Sequence, residues 1–314
     1  MTEVAKREKL HPTMGQSPFA LATGTTFEKS LFARNAERVY KTLVEERIFP
    51  EGDHRFIDLR LRQNGGPCRD LDSAMEGTND LLGQIAASGK GIPIIVAGAT
   101  VRIPGEPILP EAILVIDVLV IRSDLVPARL IVGEIKTYPD TGGYTDRASL
   151  AGARAQAGIY VYGLALSVEE LGTSDAINID NRGFLVLRRP GSNWPRVRAS
   201  EDLRFQAERA RRGIDRLKAI AAELPAGSEG DALANVCAAE IAYDPTCVSF
   251  CDRAAGCYMR LMEAGDPSVL GEDVARFLGK INLYRAIELL EGASCRNEAE
   301  RDMLRRVREA RPDL

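Results

Sequence analysis

The chain has 314 residues, 45% hydrophobic and 27% charged, with a formal net charge of −4. Such a composition excludes a disordered or fibrous chain and fits one domain of about 200 residues with a smaller appendage. The segment MTEVAKREKL carries charges with no apolar stretch behind them, and no apolar run approaches the roughly 20 residues that cross a bilayer, so a cytoplasmic protein without membrane association is expected.

Residues up to about Gly24 are polar and rich in Gly and Pro, which predicts an irregular lead-in. Apolar residues then recur at helical spacing from Thr26 to Ile48, followed by a loop, PEGDHRF. A second helix is expected between Asp70 and Ala87. From Ile92 the pattern becomes that of strands: PIIVAGATVRI, then ILVIDVLVI from Ile113, then RLIVGEIKTY from Arg129. A helix through RASLAGARAQAGIYVYGLAL follows, then a strand from Gly183 to Pro190 and an Arg-bearing helix from Leu203 to Leu224. After PAGSEGD comes a cysteine-bearing segment, Cys237 to Met262, and two helices with mixed charges, LGEDVARFLGKINLYRAIELLEG and NEAERDMLRRVREA. Helix, three strands, helix, strand is an α/β arrangement with a mixed sheet. The expected division is a helical N-terminal segment over 1–69, an α/β core over 70–225 and a cysteine-containing helical region over 226–314.

The chemistry concentrates between Ile113 and Tyr162. A carboxylate inside a run of branched apolar residues is costly unless a cation, a proton or hydrogen bonds compensate it, and Asp117 is such a residue. The two strands are joined by RSDLVPA, short enough for a hairpin centred between Leu125 and Val126. Asp117 and Glu134 are equidistant from that centre and so face each other, with Cβ atoms roughly 4.5–5.5 Å apart. That is close enough to share a metal ion, and Lys136 returns to the same face by the period of two. A structural ion pair between Asp117 and Lys136 is the plainer alternative.

Asp117, Glu134-Ile135-Lys136, and Gln156 with Tyr160 resemble the motif set of the PD-(D/E)XK nuclease superfamily, in particular its RecB-like branch. The resemblance covers roughly Asp70 to Pro190 and implies a restriction-endonuclease-like αβββαβ core. It further implies that Asp117, Glu134 and the Ile135 carbonyl bind Mg²⁺ or Mn²⁺ and that Lys136 positions or activates the attacking water. Hard cations of this kind prefer carboxylate and carbonyl oxygen. Gln156 and Tyr160 share one helical face by their i, i+4 spacing and would orient the site or contact the nucleic-acid backbone. The branch also places a His or Glu on an earlier helix. Here Gly77-Thr78-Asn79-Asp80 resembles that motif one residue short, with Asp80 as candidate ligand and Glu76 behind it.

Six cysteines in a chain expected in the cytoplasm point away from disulfides, and their clustering points to metal ligation. Cys247, Cys251 and Cys257, in CVSFCDRAAGC, are similar to the C-terminal cysteine triplet of Fe–S-containing RecB-like nucleases, those of AddB type and the CRISPR-associated exonucleases. This implies a 4Fe-4S cluster with Cys68 as fourth ligand; structural Zn²⁺ and a Cys237 ligand stay open, and Cys295 is an ordinary thiol. The function these resemblances imply is metal-dependent hydrolysis of DNA, at single-stranded ends or flaps, in repair, recombination or prokaryotic defence. The alternative is a catalytically idle module that binds nucleic acid or scaffolds a complex. The Arg-bearing helix would then hold phosphates and the C-terminal helices a protein partner.

Overall fold

A computed structural model describes residues 18–105, 111–223, 243, 247 and 253–311. The described residues divide into two compact units, 18–223 and 243–311. Among the described residues no helix is long and apolar enough to cross a membrane.

The first unit is α/β, built on an open, mixed sheet of seven strands. In chain order these are β1 (Arg55–Asp58), β2 (Ile94–Ile103), β3 (Ala112–Arg122), β4 (Ala128–Pro139), β5 (Ile177–Ile179), β6 (Arg182–Arg188) and β7 (Pro195–Asp202). The spatial order is β1-β2-β3-β4-β6-β7, with β5 also on β4. The neighbours β2–β3, β3–β4 and β6–β7 run antiparallel, whereas β1–β2, β4–β5 and β4–β6 run parallel. Both faces are covered, so the central strands read as nearly continuous apolar runs rather than alternating ones. Val118 and Val120 face one core with Phe27, Leu31 and Val39 of α1 (Pro18–Glu45). Leu119 and Ile121 face the other, with Leu82 of α2 (Leu71–Ser88) and Ala157, Tyr160 and Leu164 of α3 (Arg147–Glu170). The helix α4 (Arg204–Glu223) lies against α3 so closely that a Cβ at Gly158 would come 2.5 Å from Gln206 Cβ.

Helix α2 starts at Leu71 because Asp70 accepts the Ser73 amide at 2.9 Å while the Ser73 hydroxyl receives the Asp70 amide at 3.1 Å, a reciprocal cap. The helix expected from Thr26 to Ile48 is interrupted: Ala33 is extended, and Arg34, Asn35 and Ala36 adopt φ of 53°, 54° and 60°. Apolar spacing continues across the break, since Leu31, Phe32, Ala36 and Val39 are all buried, so periodicity alone conceals it. The end of the expected loop PEGDHRF already belongs to β1, and β5 and β7 are further additions to the sheet. They are short edge or near-edge strands whose pairing, not composition, makes them strands.

The second unit contains α5 (Ala254–Ala264), a 3₁₀ turn (Pro267–Leu270), α6 (Glu272–Leu278), α7 (Leu283–Leu290) and α8 (Glu298–Ala310). The helix expected over LGEDVARFLGKINLYRAIELLEG is therefore two, α7 starting anew where Asn282 caps the Tyr284 amide. Leu261, Leu278, Leu289 and Met303 form the core. Beside it Arg285 pairs with the buried Glu300 at 3.0 Å, and the Arg296 amide donates to the same carboxylate at 2.6 Å. These bonds hold the Glu300 carboxyl down at about 2.

Candidate functional site

The β3–β4 register pairs Arg122 with Arg129, Val120 with Ile131 and Val118 with Gly133. One step further Asp117 faces Glu134, as hairpin symmetry requires. There the ladder ends: the Ile135 amide donates to Asp117 Oδ2 at 2.8 Å in place of a backbone acceptor. Below this point β3 pairs only with β2, while β4 continues along β6, with Glu134 against Leu185. The sheet thus forks between the two carboxylates. On the other side of Asp117 the β2 partners are Ala97 for Val118 and Ala99 for Ile116, which puts Gly98 opposite Asp117. Gly98 has φ of 74°, and a Cβ there would stand 2.8 Å from the Arg60 amide nitrogen. Only glycine combines that conformation with so near a backbone.

Glu134 is 0% exposed. Lys136 Nζ stands 2.6 Å from its Oε1 as an ion pair. Lys136 donates to Gln156 Oε1 at 2.8 Å, and Gln156 Nε2 donates to the Tyr160 hydroxyl at 2.6 Å. The i, i+4 pair on α3 therefore orients the lysine across the site. Asp117, Glu134, Lys136, Gln156 and Tyr160 are all brought together.

Burial, then the charge of Glu134, pushes the Asp117 carboxyl well above the carboxylate range, against the Ile135 amide and Lys136. Glu134 is also raised, by burial first, with Lys136 opposing. The Tyr160 hydroxyl is held far up by burial and by both carboxylates. Tyr138, on the same strand, donates to the Ser149 carbonyl at 3.0 Å and is pushed up to about 12, chiefly by burial. Two facing carboxylates, one of them fully buried, form a donor set suited to a hard divalent cation.

The earlier-helix candidates lie elsewhere. Asp80 and Glu76 are exposed on α2, and among the described residues no group of three or more His, Cys, Asp or Glu stands ready to hold a metal ion. The Gly77-Thr78 pair has a packing role: the Thr78 hydroxyl accepts the Thr100 amide at 2.8 Å and ties α2 to β2. A carboxylate that sequence spacing missed is Glu28 of α1. Burial and then the charge of Asp117 raise its pKa, while Arg60 opposes them. Arg60 forks onto Asp58 at 2.9 and 2.8 Å, stands 3.7 Å from Glu28 and lies over the Phe32 ring at 4.6 Å. Its Nη1 has no hydrogen-bond partner among the described residues. The sequence signal for Glu28 is faint: one acidic residue beside Phe27 in an amphipathic helix.

Of the cysteines, Cys68 belongs to the first unit, and Cys247, Cys257 and Cys295 to the second; Cys237 and Cys251 lie outside the described residues. Burial and the charges of Asp58 and Asp70 raise the Cys68 thiol, so ligation there has to displace a proton from a site that favours keeping it. No known protein family, curated protein or solved structure matches this chain.

Proposed function

We propose that the first unit is a divalent-metal-dependent nuclease with a restriction-endonuclease-like αβββαβ core, hydrolysing phosphodiester bonds of DNA. The observation that carries this reading is the facing of Asp117 and Glu134 at the fork of β3 and β4, with Lys136 2.6 Å from Glu134 and held by Gln156. Asp117, Glu134 and the Ile135 carbonyl would hold the cation. Bound there, Mg²⁺ or Mn²⁺ supplies Lewis-acid polarisation of the scissile phosphate and a bound water of lowered pKa.

The chain's own groups complete the reaction. Lys136 Nζ, fixed by Gln156, offers a donor to the attacking water or to a phosphate oxygen as negative charge builds on it. Gln156 and Tyr160 keep the ammonium from swinging into solvent and so preserve its aim. Hydrolysis adds water at phosphorus, breaks one phosphorus–oxygen ester bond and returns a proton to the departing hydroxyl.

End-labelled single-stranded DNA incubated with Mg²⁺ or Mn²⁺ tests this. Wild type should cleave, chelation should stop it, and Asp117→Ala and Lys136→Ala should each lose about 10²–10⁴-fold in rate. Unchanged cleavage in both variants would remove the proposed site, and binding without cleavage by wild type would favour an idle nucleic-acid-binding module. For the cysteines the proposal is a thiolate-bound 4Fe-4S cluster or zinc. Purified protein should carry iron with sulfide, or zinc, and Cys247→Ser and Cys257→Ser should lose it; metal-free wild type overturns that proposal.

A further inference from the structure

The protein carries a single tryptophan, Trp194, and leaves it 53% exposed at the turn between β6 and β7. An indole so exposed forgoes the burial that its size normally secures. Facing it across a shallow groove is α1 at its break, with Ser30, Arg34, Arg38 and Lys41 along the wall. The Arg38 guanidinium lies over the indole ring, 4.8 Å from its centroid. Lys41 pairs with Glu37 at 2.6 Å, and Lys41, Arg34 and Arg38 all hold that carboxylate below its usual range. One anion therefore meets three cations, and the groove keeps a positive excess beside an indole that Arg38 covers only in part. The left-handed run through Arg34, Asn35 and Ala36, which side chains rarely adopt, turns the chain so that Arg34 and Asn35 stand exposed at the break.

We infer that this groove is a binding platform for single-stranded nucleic acid, in which a base stacks on Trp194 and the backbone phosphates follow Arg34, Arg38 and Lys41. Exposed aromatic faces lined by cations serve unpaired bases, because every base has a π-face and every nucleotide a charge. A duplex keeps its bases stacked on one another and cannot use the indole. The inference deepens the nuclease reading by naming a substrate class, and it rests on that reading only for its biological sense.

Because Trp194 is the only tryptophan, its fluorescence reports this groove alone. The full chain is titrated in chelator with an unlabelled oligothymidylate, and with a dye-labelled one followed by anisotropy. Saturable quenching should accompany the anisotropy rise, Trp194→Ala should weaken anisotropy-detected binding about 5- to 150-fold, and Trp194→Phe should retain most of it. Arg34→Ala should lower the salt slope by about one. An anisotropy rise without quenching, equal quenching by a duplex, or unchanged affinity in Trp194→Ala would each overturn the platform. Quenching by a wild-type protein that does not cleave in Mg²⁺ removes the nuclease reading and leaves the platform standing; cleavage with unquenched Trp194 does the reverse.

Discussion

Asp117 is the residue at which packing and chemistry conflict. Asp117 is partly buried and its carboxyl faces Glu134, so ionisation costs the folded state, and its pKa is raised by burial and by that neighbour. The sign follows: below the unfolded value of about 3.9 the group is neutral in both states and carries no penalty, and the penalty grows as pH rises above it. Asn keeps an acceptor for the Ile135 amide and removes the charge. Metal-free Asp117→Asn should therefore match wild type near pH ~4 and exceed it by ~0.5–2 kcal/mol near neutrality in urea unfolding, the usual gain when a strained functional residue is relieved. Added Mg²⁺ should narrow the gap by stabilising wild type only. A gap independent of pH would show that the buried charge is not the cause. The facing of Asp117 and Glu134 was legible in the sequence because a hairpin obeys a simple sum rule, and Lys136 followed from the period of two; Gln156 and Tyr160 came from the motif resemblance, the i, i+4 spacing adding only that they share a helical face. Glu28 was not legible, since nothing local links a residue of α1 to a carboxylate on β3.

At the scale of elements the same distinction holds. Strands β2, β3 and β4 and helices α2 and α3 carry dense apolar patterns and were readable; β1 and β5 are too short to declare themselves, β7 (PRVRASED) is too polar, and the break in α1 hides behind unbroken apolar spacing. Gly98 belongs with the unreadable features, because its need for glycine comes from Arg60, a neighbour supplied by the turn after β1. Gly98→Ala adds a left-handed penalty of about 1–2 kcal/mol to the cost of crowding that backbone, and should destabilise the first unit by ~2–4 kcal/mol. Gly83 in α2 gives the matched control: no atom lies within 4 Å of a Cβ there. Gly83→Ala should be neutral or stabilising by ~0.4–1 kcal/mol through helix propensity and the unfolded chain. Equal effects at the two sites in a denaturant series would show that neither the left-handed backbone nor the near approach of Arg60 requires glycine at Gly98.

Across the whole molecule, the sheet of the first unit packs a core on each face and the second unit has a core of its own. The first unit mixes carboxylates raised by burial, Asp117, Glu134 and Glu28, with ones held low, among them the buried Asp140 paired with Arg196 and Arg198. In the second, Glu300 is held at about 2 by Arg285 and the Arg296 amide. A depressed folded value means stability that is complete above the unfolded value of about 4.3 and is lost as pH falls through about 2. Amide exchange read over 253–311 should therefore show protection falling as pH drops from ~5 towards 2. Glu300→Gln should lower protection around α7 and α8 at neutral pH and flatten that unit's acid dependence, leaving β3 and β4 unchanged. Loss of protection in β3 and β4 in step with α8 would mean that the two units unfold as one, and an unflattened acid dependence in Glu300→Gln would show that this carboxylate does not set it.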